Sequence, residues 1–129
     1  MDDLAWEQVR RLVGWLDERA EPAAAGDVRL LRVLKIGEEF GEVAEALHGA
    51  LGANPRKGAS HTWDDVRQEL CDVIVTAMVA LTSCVDDTDD TDGAGDADGA
   101  GGPAGLLAGR LELLVERAGL NAPPGGDAS

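Results

Sequence analysis

Six acidic side chains fall into two clusters in which each acid has another acid three or four residues away. They are Glu38, Glu39, Glu42, Glu45, Glu69 and Asp72. Residues at these spacings share one face of an α-helix, so each cluster would present its carboxylates on one side. Like charges placed so closely destabilise a helix unless something neutralises them. A divalent cation held between the clusters would do so, and a set of oxygen ligands suits Mg²⁺ or Mn²⁺ rather than Zn²⁺.

The second cluster, Glu69 and Asp72, is followed by an unusually apolar segment. From Val73 to Val85 no side chain is ionisable except the thiol of Cys84, which predicts a helix that is buried nearly all round. Asp72 stands at the start of this run, where an unpaired carboxylate would be costly or would take up a proton. The first cluster has a simpler alternative, because a solvated helix face with Lys35 paired to neighbouring glutamates needs no metal.

The spacing of apolar residues around these clusters predicts helices and no convincing strand. The first helix is expected over residues 3–20 and the second over 28–51. A capping box over 62–65 opens the third, which runs to residue 84 or 85, and the fourth covers 106–118, followed by a glycine cap. We therefore predict an all-α fold, an antiparallel four-helix bundle-like arrangement in which the two acidic clusters meet across a helix pair.

The chain of 129 residues fits a single domain, which we place at residues 1–120. Residues 86–105 within it are rich in Asp, Gly, Ala and Thr. We expect a disordered connector there, since like charges repel and glycine loses the most entropy on ordering. The positions around Gly93 do not match a calcium-binding EF-hand loop. Residues 121–129 are expected to form a flexible tail.

The composition argues against several classes of partner. The formal charge is −14, and half of it comes from seven aspartates between residues 86 and 98. Such a chain lacks the basic stripe that nucleic acid or an anionic membrane requires. With no signal-peptide pattern and no run of about 20 apolar residues, we expect a cytoplasmic protein. Cys71 and Cys84 fall about 20 Å apart in one predicted helix, too far for a disulfide, so we expect free thiols.

Two glycines, Gly37 and Gly41, lie four residues apart inside the second predicted helix. Each weakens a helix by about 1 kcal/mol relative to alanine, which calls for a compensating reason. Close packing by a neighbouring helix is the expected reason, and room for a ligand is the alternative.

Taken together, the two clusters resemble the paired signature of the MazG-like, all-α nucleoside triphosphate pyrophosphohydrolases. The matching residues are Lys35, Glu38, Glu39, Gly41, Glu42, Glu45, Glu69, Leu70, Asp72, Val73 and Ile74. The similarity covers roughly residues 30–84 and includes a loop at 54–58 that resembles MazG-like proteins of actinobacterial type. The aspartate- and glycine-rich connector is not part of the family pattern.

The resemblance implies a homodimeric or homotetrameric enzyme that cleaves a nucleoside triphosphate between the α and β phosphates, in nucleotide pool cleansing. It implies Mg²⁺, with Mn²⁺ as a substitute, bound by four carboxylates: Glu39, Glu42, Glu69 and Asp72. Glu38 and Glu45 would support these ligands or add to them, and Glu38 would belong to the catalytic set. The outer phosphates would be held by Lys35, Arg56 and Lys57, although a solvated turn is the simpler explanation for the last two.

Two alternative interpretations assign the chain to other classes of protein. Glu45-Ala46-Leu47-His48 fits the Glu-x-x-His motif of di-iron carboxylate bundles, but that architecture needs the motif twice and the chain has no second histidine in register. The chain could instead be a non-catalytic acidic helical adaptor, or a MazG-like relative without activity. No residue identifies the nucleobase of a substrate.

Overall fold

Helix is the only regular secondary structure in the residues that the structure, a computed structural model, describes, which are 3–20, 28–52, 60–86 and 101–120. Four helices occur there: α1 (Asp3–Arg19), α2 (Val28–Ala50), α3 (Trp63–Asp86) and α4 (Pro103–Arg117). The predicted all-α, bundle-like fold class is confirmed. The loop containing Arg56 and Lys57, most of the predicted connector and the predicted tail lie outside the described residues.

The start of α3 is fixed by the capping box that the sequence predicts. The Thr62 hydroxyl accepts a hydrogen bond from the Asp65 backbone N–H at 3.1 Å, and the Asp65 carboxylate accepts one from the Thr62 N–H at 2.9 Å. These bonds satisfy N–H groups that the first turn of a helix leaves without partners. They also hold the pKa of Asp65 below its usual value, chiefly through the bond from the Thr62 backbone.

The fourth helix begins three residues earlier than predicted. Pro103 occupies its first turn, where a fixed φ favours the helix and the missing N–H is no loss, so residues 103–105 belong to α4 and not to the connector. The predicted glycine cap is present: Gly119 has a φ of 77°, and its N–H bonds to the Glu116 carbonyl. The Leu120 N–H bonds to the Val115 carbonyl, which completes a Schellman motif.

The described chain divides into two compact units, one ending at Asp86 and the other beginning at residue 87. In the first unit α3 packs most extensively against α2 and also against α1, while α4 belongs to the second unit. A single domain over residues 1–120 stays a prediction.

Helices α2 and α3 run antiparallel. Arg32 near the start of α2 donates a hydrogen bond to Ser83 near the end of α3 at 2.9 Å. Toward the other end, Gly49 lies against the ring of His61, where a Cβ would collide with the ring nitrogen Nδ1. Glu39, near the middle of α2, meets residues in the first half of α3. This pairing decides which acids of the two helices can meet.

The Arg32 side chain also connects the third helix of the unit. Its guanidinium lies 2.9 Å from the carboxylate of Asp17 on α1, in addition to its bond with Ser83. Only 13% of the Arg32 side chain is exposed, whereas Asp17 is largely solvated. Ser83 is buried, and its hydroxyl, which accepts the bond from Arg32, also donates a hydrogen bond to the Val79 carbonyl at 2.9 Å. One arginine therefore joins α1, α2 and α3.

Buried apolar side chains come from all three helices of this unit. They are Trp6, Val9, Val13, Val43, Ala46, Val66, Met78, Val79 and Ala80. The distribution along α3 differs from the prediction, since Leu70, Ile74 and Val75 are exposed. The expectation that α3 is buried nearly all round is wrong at these residues, because the helices packed against α3 leave this side uncovered.

The close-packing explanation for Gly37 and Gly41 is also wrong within the described residues. A Cβ at either position would meet no atom within 4 Å. Both glycines instead lie on an open face of α2.

Cys71 and Cys84 are free thiols, as predicted. By length and composition alone, Trp63–Val85 could span a membrane, although no run of about 20 apolar residues is predicted from the sequence. The core helix of a soluble protein meets the same criteria, so the finding carries little weight.

Candidate metal centre

Three carboxylates from two helices converge on one point. Glu39 of α2 and Glu69 and Asp72 of α3 each offer an oxygen, and these three oxygens all lie within 4.8 Å of one another. Glu69 and Asp72 are one helical turn apart, so they project from the same side of α3. The antiparallel pairing brings Glu39 opposite them. The structure thus joins the two acidic clusters that the sequence singled out.

The carboxylates differ in how much water reaches them. Glu39 and Glu69 are half-buried along the seam between the helices, and Asp72 is exposed. The expectation of a buried Asp72 is wrong, because its neighbours Leu70 and Ile74 lie on the uncovered side of α3. Within the cluster, the two glutamates are the partly buried carboxylates.

Glu69 is the residue on which the negative charges act most clearly. Partial burial raises the pKa of its carboxyl, and the charges of Asp72, Glu42, Glu39 and Asp65 raise that pKa further, in decreasing order. Both effects disfavour the ionised form. A cation beside Glu69 would reverse them, since the ionised carboxylate would then be the favoured form.

Lys35 provides positive charge at the edge of the cluster. Its ammonium nitrogen lies 3.4 Å from Glu38 Oε1 and 3.4 Å from Glu39 Oε2, one turn along α2. Hydrogen bonds to Glu39 and then Glu38 raise the pKa of Lys35, so the amine stays charged. The lysine pairing that the sequence suggested for a solvated face is therefore present, next to the three converging carboxylates.

The other acids of the first cluster stand further out. Glu42 is exposed and does not join the set of three mutually close oxygens, although its charge reaches Glu69. Glu38 is 72% exposed and contacts Lys35. Glu45 is exposed, with no described contact that ties it to the cluster. Arg56 and Lys57 lie outside the described residues.

Sequence reasoning missed Arg32, whose contacts fix α2 against α3 two turns before Glu39. The available signal was a single arginine within the apolar run Leu30, Leu31, Val33 and Leu34. A charged residue in such a position commonly has a specific partner. Its partner on α3 is 51 residues away in sequence, which no local pattern indicates.

The three oxygens fit a hard divalent cation by chemistry and nearly by spacing. Mg²⁺ binds oxygen at about 2.1 Å, so two of its ligand oxygens lie at most about 4.2 Å apart. The three oxygens all lie within 4.8 Å of one another, and rotation of the acidic side chains can bring them to the spacing that Mg²⁺ needs. Ca²⁺, with longer bonds of about 2.3–2.6 Å, would need a smaller movement of these side chains than Mg²⁺. No nitrogen or sulfur ligand belongs to this described set, which disfavours zinc.

Comparison with known proteins adds no further relationship. No protein-family model, no curated protein and no solved structure matches the chain. The resemblance to MazG-like enzymes therefore depends on the motif residues themselves.

Proposed function

We propose that this protein is a divalent-cation-dependent nucleoside triphosphate pyrophosphohydrolase, which converts a (d)NTP and water into a (d)NMP and pyrophosphate. The observation that carries the proposal is the convergence of Glu39 with Glu69 and Asp72 from the neighbouring helix. These are three of the four acids that the MazG-like motif assigns to the metal. The raised pKa of Glu69 adds a physical reason, because partial burial and then the neighbouring negative charges disfavour its ionised form, and a bound cation would favour that form again.

Glu39, Glu69 and Asp72 would hold the cation, and Glu42 would complete the set by turning inward from one turn along α2. A bound Mg²⁺ would offset the charge of an otherwise repelling acidic surface and polarise a phosphoryl oxygen. The Glu38 side chain is 72% exposed, so it can exchange its contact with Lys35 for another partner at little cost, because exposed ion pairs are weak.

Hydrolysis also needs an acceptor for the proton of the attacking water. We assign this role to Glu38, which is exposed and is the acid of the predicted catalytic set that is not a proposed ligand of the cation. A carboxylate in this position can orient the water and take its proton as the new P–O bond forms and the bond to pyrophosphate breaks. Lys35 contacts Glu39 of the cluster at 3.4 Å, and it would bind the outer phosphates with Arg56 and Lys57.

The decisive experiment is a turnover assay on the purified chain. A panel of canonical and modified triphosphates is incubated with Mg²⁺, Mn²⁺ or Ca²⁺, and both pyrophosphate and monophosphate are quantified. The matched variants are Glu69→Gln and Glu18→Gln, since Glu18 is an exposed glutamate on α1 outside the cluster. We expect hydrolysis by the wild type and Glu18→Gln and a loss of at least about a hundredfold in Glu69→Gln, within the range that one catalytic group commonly supplies.

The same assay tests the non-catalytic alternative. If no triphosphate is cleaved while isothermal titration shows that Mn²⁺ binds to the wild type but not to Glu69→Gln, the cluster is a metal site without this activity. If Mn²⁺ binds neither protein, the metal centre itself is excluded. The panel also identifies the substrate, on which the proposed role in nucleotide pool cleansing depends.

We further propose that the protein is a homodimer or homotetramer in the cytoplasm. Large apolar side chains on α2 and α3 are exposed in the single chain, among them Leu34, Phe40, Leu70 and Ile74. A second copy would remove this surface from water, at about 25 cal/mol per Å² of apolar area. Light scattering after size exclusion should give a mass of two or four chains, and a monomer at micromolar concentration would contradict the assembly.

A further inference from the structure

The contacts of Lys35 place it in competition with any cation at the acidic cluster. Its ammonium nitrogen is 3.4 Å from Glu39 Oε2, and Glu39 is one of the three converging carboxylates. The same nitrogen is 3.4 Å from Glu38 Oε1. The two acceptors are not equivalent, because the Glu39 side chain is only 18% exposed whereas Glu38 is 72% exposed. The inward contact is therefore the one that bears on the cluster.

A carboxylate shared with an ammonium group is a weaker ligand for a cation. Both positive groups draw on the same negative charge, and they repel each other when both are close to it. Lysine is suited to such a temporary role, since its compact charge sits on a flexible four-carbon stem and has no fixed bidentate geometry. The Lys35 side chain is 54% exposed, so it is free to turn away from Glu39 without leaving a buried charge unpaired.

We propose that Lys35 is a tethered competitor of the divalent cation. In the cation-free protein it holds Glu39, and when the cation binds it releases that carboxylate and turns to the phosphates of the substrate. This inference rests on the proposed function, and it adds a regulatory step to it: the free enzyme binds the cation weakly, and the cation–triphosphate complex binds better than either component alone.

The proposal predicts opposite effects on two binding steps when the lysine charge is removed. Lys35→Met should tighten binding of Mn²⁺ alone by about two- to fivefold, the range that corresponds to the loss of an exposed ion pair. The same variant should weaken binding of a non-hydrolysable α,β-methylene triphosphate at saturating Mn²⁺. A residue that only stabilised the helix would not separate the two measurements in this way.

The experiment measures both affinities by isothermal titration on the full chain. Lys35→Arg keeps the charge and should leave Mn²⁺ affinity close to that of the wild type. Arg67→Met is the matched control, because it also removes one exposed positive charge and one ion pair at i, i+3 spacing, that of Arg67 with Asp64 at 3.3 Å, but touches no carboxylate of the cluster. It should change neither affinity.

Tighter Mn²⁺ binding with weaker analogue binding in Lys35→Met supports the competition. Unchanged or weaker Mn²⁺ binding in Lys35→Met, or equal tightening in Arg67→Met, overturns it and leaves the proposed metal site intact. Absence of Mn²⁺ binding in the wild type overturns both the competition and the proposed function, so the two failures are distinguishable.

Discussion

Replacement of Arg32 by methionine tests how the helices that carry the acids are held together. Methionine keeps most of the aliphatic stem of arginine but removes the guanidinium. The variant loses the contact with Asp17 on α1 and the hydrogen bond to Ser83 on α3, both at 2.9 Å. Ser83 still donates to the Val79 carbonyl, so the change leaves no buried donor without a partner there.

The two lost contacts differ in expected size. Asp17 is 59% exposed, so the ion pair contributes about 0.2–1 kcal/mol. The bond from the guanidinium to the buried Ser83 hydroxyl contributes about 1.5–2 kcal/mol, because one partner is charged. The total is about 2–3 kcal/mol. At an unfolding entropy of about 2.1 cal/mol/K per residue, the unit ending at Asp86 should then lose about 11–17 °C in Tm.

Thermal and urea unfolding followed by circular dichroism measure these differences. The expected order of destabilisation is Arg32→Met, then Ser83→Ala, then Asp17→Asn, and Arg67→Met should stay within about 0.5 kcal/mol of the wild type. A high salt concentration should reduce only the small contribution of Asp17. An Asp17→Asn variant as unstable as Arg32→Met would refute the reasoning, since the exposed ion pair would then be the dominant contact.

Three further predictions concern single positions in the same unit. Thr82→Val should raise stability by about 1–2 kcal/mol, because the Thr82 hydroxyl is buried and has no hydrogen-bond partner among the described residues. Gly14→Ala on α1 should raise it by about 0.5–1 kcal/mol, since a Cβ there meets no atom within 4 Å. Glu69→Gln should stabilise the cation-free protein at neutral pH and abolish the rise in Tm that added Mn²⁺ produces.

Each of these has an outcome that contradicts it. A destabilised Thr82→Val would mean that the hydroxyl has a partner, and a destabilised Gly14→Ala would mean that the added Cβ meets other atoms at this position of α1. For Glu69 the sign of the pH dependence is the test. Its pKa is raised in the folded state, so the wild type should lose stability as pH rises from the unfolded value of about 4.3 through the folded pKa, and the Glu69→Gln variant should lack this loss.

Local signals in the sequence predicted the elements well. The Thr62 and Asp65 capping box and the glycine after α4 were each confirmed at their predicted residues, because a cap depends on a few neighbouring atoms. The start of α4 was wrong by three residues because Pro103 was assigned to the connector. Local patterns could not show which side of α3 the neighbouring helices cover. The prediction that Asp72 is buried was wrong for that reason.

The candidate site follows the same rule: its local contacts were predictable from the sequence, and its tertiary contacts were not. The i, i+3 and i, i+4 spacings predicted that Lys35 would reach Glu38 or Glu39, and the structure contains both contacts. Helix periodicity placed Glu39 and Glu42 on one face, but it does not fix side-chain torsions, so it could not tell which of them turns toward α3. The partnership of Arg32 and Ser83 depends on the tertiary pairing of two helices and was invisible in the sequence.

The uneven burial along α3 has a consequence for its motions. Side chains from Met78 to Ser83 are mostly buried, whereas the half that carries Glu69 and Asp72 is largely solvated apart from Val66. Amide hydrogen exchange should therefore be slowest near Met78 and faster around Asp72, since segments with fewer apolar contacts open at lower free energy. A cation that links Glu39 to α3 would slow exchange in that solvated half first, which makes the exchange gradient itself a reporter of binding.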